Sequence, residues 1–185
     1  MFSLHGIGVS AGIVVARARL IESGHQVDVP HYHIKAAETE AEVARLQSAM
    51  REVQHELQSV GSQLPDDAPP EAKALLEVHA MLLDDPAFTG EAAQAIRQSR
   101  WCAEWALSAQ AAELSAQFEA IEDEYLRERG RDVQQVADRV LRRLAGSPSA
   151  HAMADEPAVI VAADIAPADM LQLRHALGFV IDQGG

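Results

Sequence analysis

The chain has 185 residues, 48% of them hydrophobic but only 4% aromatic, enough for a core of Leu, Val, Ile and Ala, a composition that favours helices. Asp and Glu number 28 against 15 Lys and Arg, a formal charge of −13; such a field repels nucleic acid and anionic membrane and favours a basic partner. Cys102 is the only cysteine, which excludes an internal disulfide. MFSLHGIG lacks a basic-then-apolar leader, and no apolar run approaches the roughly 20 residues of a membrane span, so the expected compartment is the cytoplasm.

Residues 7–21 read as strand: Ile13, Val14 and Val15 are β-branched, and Ala16 to Leu20 alternates small or apolar with charged. Gly6, Gly8 and Gly12 lack the spacing of a phosphate-cradling loop and read as turns. A polar stretch with His25, His31 and His33 follows; an H-x-H in a loop is weak as a metal site. Val43, Leu46, Met50, Val53, Leu57 and Val60 then recur in steps of three and four, a heptad seam on a long helix. With so few heptads, the seam is expected to pack against other helices of the same chain.

After a Pro-, Ser- and Asp-rich linker, PPEAKALLEVHAMLLDDPAF (69–88) has the grammar of two helices and a corner. A double proline and a glutamate open the first helix. Ala72, Leu75, Leu76, His79, Leu82 and Leu83 share one of its faces. Asp85 is the predicted N-cap and Pro86 the first residue of the second, which is expected to run to about Arg100. Trp101, Trp105, Ala111, Leu114, Phe118, Ile121 and Tyr125 mark a third helix of mostly regular spacing. Gly130 is expected to interrupt before a final amphipathic helix with Val133, Val136, Val140, Leu141 and Leu144. Beyond Ala158 the pattern changes: AVIVAAD is a strand, a helix is expected to open at Pro167, and Gly178 to Asp182 is another strand. Strand, helix, strand is the signature of a parallel βαβ unit.

Five segments in order resemble one family. They are Ile7-Gly8-Val9-Ser10-Ala11-Gly12-Ile13, the E-x-H-x-M-L-L-x-D run from Glu77 to Asp85, Glu122-Asp123-Glu124-Tyr125-Leu126-Arg127-Glu128-Arg129, Val161 to Pro167, and Gly178 to Gly185. Together they resemble the N-terminal half of Enzyme I, the phosphoenolpyruvate–protein phosphotransferase of the bacterial sugar phosphotransferase system. The Asp123–Arg129 run looks like the family's helix end. The resemblance implies a mostly α fold with an α/β part: a helical-hairpin, carrier-binding subdomain (36–145) inserted in an incomplete swivelling phosphohistidine subdomain (1–35 and 146–185). A strand at 178–182 with an open edge would follow, with poor order or self-pairing at that end.

The family's phosphorylated histidine lies four residues past the double glycine, beyond Gly185, so the resemblance implies no catalytic residue, metal or cofactor within this chain. Phosphoenolpyruvate and magnesium would bind a C-terminal domain, through which the intact enzyme dimerises. What it does imply here is a docking surface for the phosphocarrier protein HPr. By position this comprises Glu71, Ala74, His79, Met81, Leu82, Asp85, Phe88, Phe118, Tyr125, Leu126 and Arg129. The family pattern departs at Pro70, Ala87 and Ser108. Independently of the resemblance, residues 66–129 hold 14 acidic and five basic residues, a field that would steer a basic partner. Two other readings are a helical scaffold or oligomerisation module using the heptad seam, and a swivelling phosphohistidine domain of a dikinase or phosphoenolpyruvate synthase.

Overall fold

A computed structural model describes residues 7–21, 29–65, 68–146 and 157–162, residues 165, 170 and 173, and 175–182. Strand β1 (Arg17–Ile21) precedes a 3-10 turn and five helices: α1 (Thr39–Ser62), α2 (Pro70–Leu82), α3 (Pro86–Ser99), α4 (Ala103–Glu119) and α5 (Glu124–Leu144). Strands β2 (Ala158–Ala162) and β3 (Ala176–Ile181) follow. The predicted helix opening at Pro167 lies outside the described residues.

All six residues of the predicted heptad seam are buried on α1, and α2 to α5 pack around that helix. Gly61 near the end of α1 lies against Leu76 of α2, and Arg97 near the end of α3 holds Glu40 of α1 at 2.9 Å. Together α2 and α3 therefore lead back along α1, from its end to its start. Helix α4 starts beside the first turns of α1, where Ala103 N–H donates to Glu42 Oε1 at 2.8 Å. Helix α5 returns antiparallel to α1, with Arg139 and Arg143 reaching Glu56 at 3.3 and 2.9 Å. The seam is thus filled from within the chain, as its short length requires.

One polar cluster ties three helices. Arg45 on α1 donates to Glu42 at 2.8 Å, to Glu104 on α4 at 2.7 Å, and to the Leu144 carbonyl at the end of α5 at 3.4 Å. The Arg45 hydrogen bond holds the Glu42 carboxyl below its ordinary value of 4.5, against the opposite pull of burial and with help from the Ala103 N–H.

Gly130 does not interrupt a helix. It lies inside α5, where a Cβ would stand 3.3 Å from the Ser115 carbonyl and 3.5 Å from Phe118 Cβ. Ser115 Oγ donates to the Gly130 carbonyl at 3.0 Å. The missing side chain lets α4 and α5 approach closely, a use of glycine that spacing along one helix does not reveal. The break comes earlier, at residues 120–123. The Asp123–Arg129 run is accordingly the start of α5, not a helix end.

The three strands form a parallel sheet in the order β1-β2-β3. Ala158, Ile160 and Ala162 are buried with Ile165 and Leu173, forming a small core separate from that of the helices. On the other face Leu20, Val161 and Val180 stand in one row, with Leu20 and Val180 exposed. The predicted strand over residues 7–21 is only partly present, because residues 7–16 lie outside the sheet and Ile13 is 96% exposed. β-branched residues favour a pleated surface, yet a strand exists only where another backbone completes its ladder.

Two measurements check this packing. Phe88, in the first turn of α3, is wholly buried, so Phe88→Ala should lower the unfolding free energy by about 3–5 kcal/mol in urea titration. Glu42→Gln should cost about 1–3 kcal/mol at pH 7. A carboxyl lowered in the folded state stabilises above its unfolded value and loses that contribution as pH falls through the folded one. The difference between wild type and Glu42→Gln should therefore narrow below pH 4.5, and a constant difference would refute the role given to the ion pair.

Candidate functional site

The corner between α2 and α3 is built by short-range hydrogen bonds. Asp84 N–H donates to the Met81 carbonyl at 3.0 Å and Asp85 N–H to the Leu82 carbonyl at 3.2 Å. Asp85 is the N-cap of α3: its Oδ1 accepts from Ala87 N–H at 2.8 Å, with Pro86 in the first helical position. The cap satisfies one of the amide groups that a helix start leaves open. Gln110 of α4 donates to the Ala87 carbonyl at 2.9 Å and fixes the first turn of α3 from the side.

The second half of the site is the turn between α4 and α5. Phe118 near the end of α4 is half-buried beside Gly130. Across the two halves, His79 Nε2 on α2 lies 3.6 Å from Asp132 Oδ1 on α5. The other oxygen of Asp132, Oδ2, is 3.4 Å from Nη1 of Arg129, one turn earlier.

The residues expected at a docking surface divide by depth. Glu71, Ala74, Met81 and Asp85 are exposed, Met81 to 70%. Leu82, Phe118 and Arg129 are half-buried. His79 is 2% exposed and Phe88 wholly buried, so both support the corner from beneath. Tyr125 and Leu126 fall in the first turn of α5, their side chains outside the described set. An exposed methionine beside a half-buried leucine is an adaptable apolar contact. On α2, α3 and the turn between them Glu71, Glu77, Asp84, Asp85 and Glu91 are exposed, as are Glu119, Glu122 and Asp123 at the turn between α4 and α5. Asp132 escaped the reading of the sequence. With Gly130 taken as a break, Arg129 and Asp132 fell on different elements; read as one helix, they are an i, i+3 pair.

The remaining polar features have structural roles. Cys102 is buried at the start of α4, and its thiol donates to the Pro30 carbonyl at 3.0 Å. His31 and His33 meet the ring of Trp105 edge-on, with Trp105 stacked on Trp101 at 4.4 Å. His25 lies outside the described residues. Among the described residues no three His, Cys, Asp or Glu side chains converge as metal ligands would, and no helix is long and apolar enough to cross a membrane.

Residues 5–129 match the family model described as PEP-utilising enzyme, N-terminal. The phosphoenolpyruvate-protein phosphotransferase of Cupriavidus necator is 47% identical over 196 residues, a match covering 100% of this chain and 33% of that protein. That of Geobacillus stearothermophilus is 33% identical, over 99% of this chain and 32% of its own length. The chain thus spans about a third of the curated relatives it matches. A solved Enzyme I structure determined by NMR superposes with a TM-score of 0.79 at 27% identity, covering 95% of this chain and 72% of that one. The N-terminal domain of a nitrogen-type Enzyme I shares the fold, with a TM-score of 0.73 at 22% identity over 94% of this chain and 71% of its own. With most of its length matched by that family model, the chain belongs to the PEP-utilising enzyme family and corresponds to the N-terminal part of its phosphoenolpyruvate-protein phosphotransferases.

Proposed function

We propose that this chain is the carrier-docking portion of a phosphoenolpyruvate–protein phosphotransferase, with the corner between α2 and α3 receiving the phosphocarrier HPr. The observation that carries the reading is the exposure of Met81 at a structured corner within an acidic surface. An apolar centre inside a charged rim is the usual anatomy of a protein interface. The negative rim suits a basic partner and would speed encounter more than it tightens the complex.

In this reading the helical residues 36–145 form the docking unit, and residues 1–35 and 146–185 belong to an α/β unit that presents the phosphoryl-bearing histidine expected beyond Gly185. In the intact enzyme, a homodimer through its C-terminal domain, phosphoryl passes from phosphoenolpyruvate to that imidazole and then to a histidine of HPr, as a step of sugar uptake. Such transfers depend on alignment and on stabilising charge. This chain supplies the alignment: Met81 and Leu82 meet the carrier, Phe88 holds the first turn of α3 rigid beneath them, and Asp85 and Glu71 belong to the charged rim. In this reading magnesium belongs to the C-terminal domain of the intact enzyme. The scaffold reading is weaker, because the seam it would use on α1 is buried under α2 to α5.

Titration of 15N-labelled HPr with the 185-residue chain tests the proposal. Wild type should shift a contiguous set of HPr resonances, and Met81→Arg should weaken binding about tenfold or more with an unchanged melting temperature. Raising the salt concentration should weaken wild-type binding. Equal HPr shifts with wild type and variant would refute the surface.

A further inference from the structure

Asp132 lies outside the five segments that carry the family resemblance, and its carboxylate on α5 faces His79 on α2. We propose that Asp132, backed by His79, is a positioning residue that sets the direction of the Arg129 guanidinium at the docking surface. This rests on the docking reading above.

Three observations carry it. The first concerns His79. Its Nε2 is enclosed and has no hydrogen-bond partner. Leaving a buried polar atom unmatched costs about 1–3 kcal/mol, whereas an apolar side chain of similar size at the same place would cost nothing of the kind. The position lies on the apolar face of α2 between Leu76 and Leu83, where leucine would fit the pattern equally well. Stability alone does not account for an imidazole there.

The second is the direction of that nitrogen. It faces Asp132 Oδ1 at 3.6 Å, just beyond hydrogen-bonding range. The third is the use of the other oxygen. Asp132 Oδ2 faces Arg129 Nη1 at 3.4 Å, also long. One carboxylate is therefore held between two donors, with side-chain exposure falling from 29% at Arg129 through 18% at Asp132 to 2% at His79. The row runs from the interior to the surface, and its outer member belongs to the docking set.

The Arg129–Asp132 contact is a long hydrogen bond, and the His79 contact stands just outside hydrogen-bonding range. Covering Arg129 with a partner would exclude water and strengthen both interactions. A hydrogen on His79 Nε2 then fixes one oxygen of Asp132, and the other oxygen fixes Arg129. A guanidinium offers only donors, so what it meets on the carrier is an oxygen acceptor, either a backbone carbonyl or an oxygen of the transferred phosphoryl group. Because the side chain is already directed, less rotamer freedom is lost when the contact forms.

The test separates this inference from the docking reading. In the chain alone, long-range 15N spectra should show the His79 proton on Nε2, and Asp132→Asn should move both that imidazole signal and the Arg129 Nε–H signal. Neither measurement requires HPr, so a wild type that failed to bind HPr would overturn the docking reading and leave these spectra to decide the triad. With HPr, His79→Leu should keep or raise the melting temperature while weakening binding about tenfold. His79→Gln, whose amide can donate to Asp132, should restore most of the loss. A stronger effect on phosphorylated HPr than on the unphosphorylated form assigns the acceptor to the phosphoryl group, and equal effects assign it to a carbonyl. An Arg129 signal unmoved by Asp132→Asn overturns the proposal, as does His79→Leu binding HPr as wild type does.

Discussion

The apolar stripe of α1 is the constraint on which the helical part depends. It must be covered along its whole length, because seven buried side chains on a 24-residue helix cannot face water. Helix α2 is only 13 residues long and α3 only 14, so neither can cover that stripe alone. The two must follow each other along it, joined by the turn at residues 83–85. The corner that forms the candidate site is therefore a geometric consequence of matching two short helices to one long one.

Polar contacts then fix what apolar packing leaves free. Arg45 binds α1 to the start of α4 and the end of α5, and Glu42 does two tasks by pairing with Arg45 and accepting from Ala103 N–H. Ser115 and Gly130 set α4 and α5 at close range, and that approach brings Phe118 and the first turns of α5 level with the corner. Breaking the chain into motifs hides this dependence. Gly130 has no chemistry of its own, yet a side chain there would push apart the two helices that carry the second half of the site.

Much of the site was legible as local grammar. Pro69 and Pro70, the three- and four-residue recurrence of Leu76, His79 and Leu83, and Asp85 before Pro86 specify two helices and a corner without reference to the rest of the chain. Such signals are read from neighbours in sequence because the groups they satisfy are neighbours in space. Depth was less legible. Met81 and Phe88 are both large and apolar and stand seven residues apart, but one projects from the corner and the other is enclosed by helices far away in sequence.

The sequence by itself determined the class of the protein: an acidic, helix-rich chain, the heptad stripe and its internal use, the capped corner, and two closing strands, which pair in parallel. It did so because periodicity, capping and charge act over a few residues. Only the tertiary structure decided that residues 7–16 lie outside the sheet, that α5 runs unbroken through Gly130, and that His79 and Arg129 meet on Asp132. Each of these depends on a partner contributed by another element. A strand needs a second backbone, a glycine in a helix reveals its purpose only against the helix it lets approach, and a contact such as His79 with Asp132 exists only once two helices have packed.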